Sequence, residues 1–438
     1  MLVTMVVVVA LVLTFIATAS LWWMMHAWRT PKTFESMRSN TNGHTQLSFS
    51  VIVPCRQESE TVMAETVRRL LAQDHPDFEI IISLGHDDLE TISAAERIAS
   101  GSAQVRLSIN HDPIKNKPRQ LNSALLDCRK EVIGIIDAES LTAPGLLRRI
   151  DMAFQGNFIA DGALKDQIAV VQGAVHLVNL RSKWFSLRNC LEYRIWFRSR
   201  LHGHADAGFI PLGGNTVFIR RQLLEEVGGW DGDCLAEDCE IGVRLSVLRK
   251  KIVCLYAPEL ITREETPDTV RAFVKQRTRW SLGFMQVMAK GDWKRLPTVT
   301  ERARAFALLG QQYMVAFSGL ILPLAIGSAI IGNLPVVAVL LAFLPLVPTI
   351  LTLNFEALIL HEFGRDVGIR LRVRDYAWLI VSTPLYQTLL AFASLRALCK
   401  FYAGNFNWEK TRHVGAHLES SAIVNQATSS IRAQLPAR

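Results

Sequence analysis

Between Met1 and Trp28 the chain carries no Asp, Glu, Lys or Arg, and the run closes on Trp22, Trp23 and Trp28, followed by Arg29 and Lys32. About 20 apolar residues suffice to cross the hydrocarbon layer of a bilayer, and aromatic residues with basic flanks mark its interface. The run therefore predicts a membrane anchor. A cleaved signal peptide would show a basic start and an apolar segment of only about 7–15 residues, and neither is present. The basic residues after the anchor put the following segment in the cytoplasm and the N-terminus outside. Apolar runs return at Ala303–Ile331, Leu334–Leu360 and Tyr376–Phe401. Arg365, Arg370, Arg372 and Arg374 place the loop between the last two in the cytoplasm as well. Three C-terminal crossings would leave the tail outside, although it carries Lys400, Lys410 and Arg412. The last run, divided by Pro384, is therefore read either as a broken or re-entrant hairpin or as a segment lying partly in the interface.

Composition agrees with a membrane protein. Of 438 residues 50% are hydrophobic and 20% charged, with a net charge of +8, an apolar excess that excludes a disordered chain or an ordinary soluble protein. The positive balance suits an anionic ligand and an anionic cytoplasmic leaflet. Seven Cys residues without C-x-x-C pairs or zinc-ligand spacing read as reduced, mostly buried thiols. The expected organisation is an anchor over 1–30, a cytoplasmic domain over 31–300, membrane helices over 301–402 and a cytoplasmic tail over 403–438.

Within the middle segment short apolar runs alternate with helical patterns. Phe49–Val53, Phe78–Leu84, Val105–Ile109 and Val132–Ile136 read as strands; Glu60–Gln73 and Leu121–Cys128 read as helices. Such alternation implies parallel β-α-β units, whose ligands bind at the carboxyl ends of strands. No G-x-G-x-x-G or G-x-x-x-x-G-K-[ST] follows the first strand, so neither a dinucleotide fold nor a P-loop enzyme is supported.

Three polar clusters stand where such a fold would use them. Asp137-Ala-Glu139 follows the buried run Val132–Ile136, and two carboxylates one residue apart at a strand end can reach a hard divalent cation or simply cap a turn. Glu237-Asp238-Cys239-Glu240 opens a helical pattern, where carboxylates either complement the helix dipole or supply a general base. In Gln276-Arg277-Thr278-Arg279-Trp280 helical spacing puts Gln276, Arg279 and Trp280 on one face. An Arg fork there can bind a diphosphate and a Trp can stack on a sugar ring; the alternative is a basic interfacial helix.

The order of these motifs resembles that of the inverting, membrane-embedded family 2 glycosyltransferases of the cellulose synthase, chitin synthase and hyaluronan synthase type. It is most similar to the bacterial cellulose-synthase-like branch in which D-x-D reads D-A-E. The matching segments are Val53–Glu58, His86–Thr91, Lys117–Asn122, Asp137–Glu139, Leu212–Thr216, Gly229–Asp231, Ala236–Asp238 and Gln276–Trp280. The resemblance implies an α/β GT-A nucleotide-sugar-binding domain, a mostly parallel sheet with flanking helices, inserted between an N-terminal transmembrane helix and a C-terminal transmembrane bundle. It implies that Pro54, Glu58, Asp87 or Asp88, Lys117, Asp137 and Arg279 bind the UDP-sugar donor, and that Asp137 and Glu139 hold Mg²⁺ or Mn²⁺. Gly213, Gly214, Asn215, Gln276 and Trp280 would form the acceptor side, and Asp238 would be the catalytic base with Glu237 beside it. Glu139 stands where the better-known members have Asp, Leu84-Gly-His-Asp-Asp88 replaces D-D-G, and Ala236 replaces a common Thr. The tail segment Asn407–His413 also matches that branch. The implied activity is transfer of a sugar to a growing β-linked polysaccharide in the plasma (inner) membrane. The alternatives are a membrane-lipid acceptor or a non-catalytic scaffold of the same fold. Membrane lipids and a glycan or lipid acceptor are the expected partners, and nucleic acid is not.

Overall fold

The computed structural model describes residues 2–30, 44–156, 168–331, 335–409 and 415. Its centre is a seven-stranded sheet in the order β3-β2-β1-β4-β7-β5-β8. The strands are β1 Phe49–Pro54, β2 Phe78–Gly85, β3 Val105–Asn110, β4 Val132–Ile135, β5 Ile168–Gly173, β7 Val217–Arg220 and β8 Lys251–Leu255. A two-stranded parallel sheet of β6 Val175–Leu177 and β9 Thr262–Glu264 lies apart from it. β1 is parallel to both β2 and β4, starting from Phe49↔Phe78 and Phe49↔Val132. The expectation of purely parallel units fails at β7, which runs antiparallel between β4 and β5. That reversal carries the Gly213–Thr216 loop back to the end of β4, where Thr216 N–H donates to the Ile135 carbonyl at 2.8 Å.

Both faces of the sheet are covered, which explains strands that read as continuous apolar runs rather than alternating ones. Phe49, Val51 and Val53 pack with Met63 and Ile150, while Ile52 and Ile133 pack with Leu121 and Leu125 on the other side. Cys55, Cys128, Cys190, Cys234, Cys239 and Cys254 are buried free thiols and Cys399 is an exposed one, in agreement with the sequence reading.

Outside this domain, helices spanning Val6–Met24 and Val336–Asp366 are long and apolar enough to cross a membrane. Val373–Val381 and Thr383–Tyr402 form a pair bent by 45° that passes the same test only together. Ser382 and Thr383 turn their hydroxyls back onto the Trp378 and Leu379 carbonyls at 2.6 and 2.7 Å, and Pro384 follows within the first turn of the second helix. The division expected at Pro384 falls beside this bend, where the hydroxyls share the carbonyls of the preceding turn and the proline has no N–H to give to the ladder. Large apolar side chains such as Phe15, Val337, Leu340 and Leu358 point outward, as lipid-facing residues do. The run Ala303–Ile331 lies within the helix Val299–Ile331, whose side chains from 318 onward are outside the described residues, as is most of the tail.

The helix Val270–Lys290 joins the two parts. It starts at Thr269, whose hydroxyl accepts from the Ala272 N–H at 3.2 Å, and ends at Gly291 in the left-handed conformation. Its Gly283 lies so close to the Ala236 segment that an added Cβ would sit 2.5 Å from the Ala236 Cβ and 2.6 Å from its backbone nitrogen. Gly283→Ala should therefore push this helix away from Glu237 and Asp238, costing about 1–3 kcal/mol of stability. Thermal unfolding of the full chain in detergent checks this, and an unchanged midpoint would show that the contact yields freely.

Candidate active site

The sequence-named residues converge at the carboxyl ends of β1, β2 and β4, where an open α/β sheet places its ligands. The Asp137-Ala138-Glu139 turn is fixed from several sides. Asn215 Oδ1 accepts from the Asp137 N–H at 3.2 Å, the Thr66 hydroxyl donates to the Ala138 carbonyl at 2.7 Å, and Ser140 N–H returns to the Asp137 carbonyl at 3.0 Å. Leu141 then exchanges both backbone hydrogen bonds with Arg263, at 2.9 and 3.0 Å. That bridge brings in a residue the sequence reading missed, Glu264 at the end of β9.

Carboxylate oxygens of Asp137, Glu139 and Glu264 all lie within 4.8 Å of one another. Glu264 is buried and accepts from Ser140 Oγ at 3.0 Å and from Asn215 Nδ2. Burial, with Glu139 and Asp137 alongside, pushes its carboxyl well above the ordinary range. Three carboxylates this close, two of them buried, repel one another, and a hard divalent cation with oxygen preference is a ligand that relieves this. The residues present therefore fit the metal implied by the resemblance.

Lys117 links this cluster to the acidic pair. It stands at the start of the helix Lys117–Asp127, whose cap is the Asn116 side chain accepting from Arg119 N–H. Its ammonium donates to Asp137 Oδ1 at 2.5 Å and to the Gly214 carbonyl at 2.7 Å, and lies 3.9 Å from Glu237 Oε1. Burial works against its charge, but Asp137, Glu237 and Asp238 outweigh that and hold the ammonium above its usual pKa. Glu237 and Asp238 open the helix Glu237–Val247. Burial raises both carboxyls; for Glu237 the Asp238 charge adds to it, and Lys117 and Arg279 oppose the rise in each. Asp238 Oδ1 accepts from its neighbour's Cys239 N–H at 2.8 Å. Its Oδ2 would be 3.0 Å from a Cβ added at Gly214, so the glycine leaves the approach to this oxygen open.

The remaining expected residues divide. Gly213 N–H donates to Gln172 Oε1 at 2.8 Å, keeping the Gly213-Gly214 backbone beside Asp238. The Asn215 side chain faces inward onto Ser140 and Glu264 instead of lining an open surface. Asp87 is held by Arg56 through paired contacts of 3.1 and 2.8 Å, while Asp88 accepts from the Gln57 N–H; both sit beyond Pro54 at the strand ends, with Glu58 in the same loop. Among the described residues, the buried Gln276 Oε1 has no hydrogen-bond partner, and neither has the buried Arg279 Nε. Trp280 is half-buried against Tyr193, with ring centroids 6.0 Å apart, and the Arg277 guanidinium lies 4.8 Å over its ring. Arg277, passed over in the sequence reading, also donates to Glu192 at 2.6 Å and to the Tyr386 hydroxyl at 3.2 Å, tying this end of the site to the apolar helix Thr383–Tyr402.

Residues 46–283 match the family model described as "Glycosyltransferase like family 2", more than half of the chain. The chain belongs to glycosyltransferase family 2. Among its family 2 relatives, the β-monoglucosyldiacylglycerol synthase of Trichormus variabilis is 26% identical over 245 residues, covering 55% of this chain and 50% of that protein. The poly-β-1,6-N-acetyl-D-glucosamine synthase of Staphylococcus epidermidis is 25% identical over 277 residues, covering 61% and 62%. The chain thus spans about half the length of the first of these relatives and under two thirds of the second. The mannosyltransferase PcManGT from Pyrobaculum calidifontis, solved with GDP-Man and Mn²⁺, superposes with a TM-score of 0.59 at 18% identity, covering 92% of this chain and 99% of that one. That likeness shows the fold, the GT-A arrangement of a central sheet with flanking helices.

Proposed function

We propose that this family 2 glycosyltransferase is a membrane-bound inverting enzyme that transfers a sugar from a UDP-sugar to the growing end of a β-linked polysaccharide. The observation that carries the reading is the Lys117 ammonium joining a three-carboxylate cluster to the Glu237–Asp238 pair. Donor phosphates on one side and an acceptor hydroxyl on the other would meet across this lysine. Asp137, Glu139 and Glu264 would hold Mg²⁺ or Mn²⁺, which when bound stabilises negative charge on a leaving diphosphate. Asp238 takes the proton of the acceptor hydroxyl as that oxygen attacks the anomeric carbon from the face opposite the diphosphate. The carbon–oxygen bond to UDP breaks as the new glycosidic bond forms, and an α-linked donor gives a β-linked product. Arg279, with its unpartnered Nε, supplies a donor for the departing phosphate, and Gln276 offers a second polar group in the same face. Trp280 orients the acceptor ring against the Tyr193 side, which lowers the entropic part of the barrier.

A base with a raised pKa sets the pH dependence. Asp238 acts only when ionised, so kcat/KM should rise with pH through its raised pKa, above the unperturbed Asp value of about 3.9. A pH profile of UDP release from the full chain measures this, and an acid limb at or below that value would remove the burial argument.

A membrane-lipid acceptor is the second reading. It is favoured by the sequence's three C-terminal apolar runs, a small number for one copy to enclose a polymer path. The cytoplasmic catalytic domain and multi-pass insertion in the plasma membrane belong to both readings. Membranes given a radiolabelled UDP-sugar distinguish them: label in a long polymer supports the first, and label in a single-sugar lipid replaces it with the second.

A further inference from the structure

The helix Ser186–Ile195 continues through a π-helical turn, Trp196–Arg200, into the helix Leu201–Asp206. Single π turns are frequent at functional positions because they re-aim side chains. This one turns Arg198 and Arg200 toward the membrane helices with different outcomes. Arg198 is neutralised by Glu362 and lies 4.7 Å over the Trp28 ring. Arg200 reaches the N-terminal helix, where it donates to Ser20 Oγ at 2.6 Å. Among the described residues it has no carboxylate within 4.0 Å, and its Nε is buried without a partner. The nearest acidic influences on it, Glu192 and Glu356, are committed to Arg277 and Arg188 at 2.6 and 2.7 Å.

A second arginine comes to the same place. Arg304 of the helix Val299–Ile331 lies 5.7 Å over the ring of Trp23, donates to the Ala207 carbonyl at 3.3 Å and, among the described residues, has no carboxylate within 4.0 Å. Ser20 and Trp23 are three residues apart and share one face of the N-terminal helix. Both arginines act on the same imidazole, His204, which stacks on Trp23 with ring centroids 5.1 Å apart. Burial, then Arg200 and Arg304, lower that imidazole's pKa to about 3, so it stays neutral and adds no charge of its own. Ser20 lies four residues, about 6 Å at helical rise, inside the end of the apolar span and just below the interfacial Trp22 and Trp23, a depth from which long arginine side chains reach the lipid phosphates. The neighbouring surface carries outward-facing Trp22 and Phe306.

Two guanidiniums without a carboxylate partner among the described residues, one with a buried unpartnered N–H, just inside the interface and within an apolar rim, match one ligand chemistry. We propose that Arg200 and Arg304, at Ser20 and Trp23, bind the phosphodiester of an anionic phospholipid of the surrounding leaflet, at a site separate from the sugar-transfer centre. An Arg fork suits phosphate oxygens, and the charge is otherwise costly to bury. The assignment rests on the N-terminal helix being a membrane span, not on the transfer reaction.

The test uses the purified full chain with phosphatidylcholine vesicles, with and without phosphatidylglycerol carrying a fluorescent headgroup-proximal acceptor for tryptophan emission. Wild type should show at least tenfold preferential energy transfer to the anionic lipid over a labelled phosphatidylcholine. Arg200→Gln with Arg304→Gln, and Arg304→Gln alone as the variant with least risk to folding, should lower that preference several-fold while UDP binding is kept. An unchanged preference in both variants overturns the site. Competition by free inorganic phosphate as effective as by phosphatidylglycerol overturns the lipid assignment in favour of a soluble anion. Failure of wild type to associate with any vesicle overturns the membrane span on which the site depends, leaving the transfer reaction to its own assay.

Discussion

Asp238→Asn should lower turnover about 10²–10⁴-fold while leaving UDP-sugar affinity within a few-fold of wild type, the range expected for loss of a general base. The substitution keeps the side chain's size and its acceptor for the Cys239 N–H, so the helix start is preserved. What it removes is the oxygen facing Gly214 as a proton acceptor. It also removes one of the negative charges around Lys117, which leaves that ammonium held by Asp137 and Glu237 and the donor side intact. UDP release from the full chain, with UDP binding measured separately, checks both halves. Equal losses in binding and turnover would make Asp238 a structural group. Wild-type turnover would transfer the base role to Glu237, whose side chain is the more buried of the pair.

Glu264→Gln should raise the Mn²⁺ concentration needed for half-maximal turnover about 10–100-fold, the scale found when groups around a bound metal are altered. The amide retains an oxygen that can accept from Ser140 and Asn215, so the turn carrying Asp137 stays braced. The charge of the cluster falls by one, and with it the electrostatic demand for a cation. Titrating Mn²⁺ against UDP release reads the effect. An unshifted titration with full activity would mean that Glu264 serves only to hold Asn215.

Much of the sheet was legible because its strands are short apolar runs closed by turn residues. Phe49–Val53 became Phe49–Pro54, Phe78–Leu84 became Phe78–Gly85, and Val105–Ile109 became Val105–Asn110. The helix read as Leu121–Cys128 begins earlier, at Lys117, because Asn116 caps it and Pro118 suits its first turn. Hydrophobic periodicity could not see that start, although it places Lys117 at the site. Glu264 was invisible for a different reason. It ends a three-residue strand whose partner β6 lies 87 residues earlier, and such long-range pairing leaves no local pattern. The antiparallel β7 and the π turn at Trp196–Arg200 likewise depend on tertiary contacts rather than on spacing. Helical spacing did put Gln276, Arg279 and Trp280 together, but it could not show that Arg277 would reach across to Glu192 and Tyr386.

A single displacement with Asp238 as base inverts the anomeric centre, so the configuration of the product is its decisive signature. Proton NMR of the first product formed from an α-linked UDP-sugar by the full chain in membranes should show a new β-glycosidic proton. An α-linked product would require retention, which a single displacement cannot give.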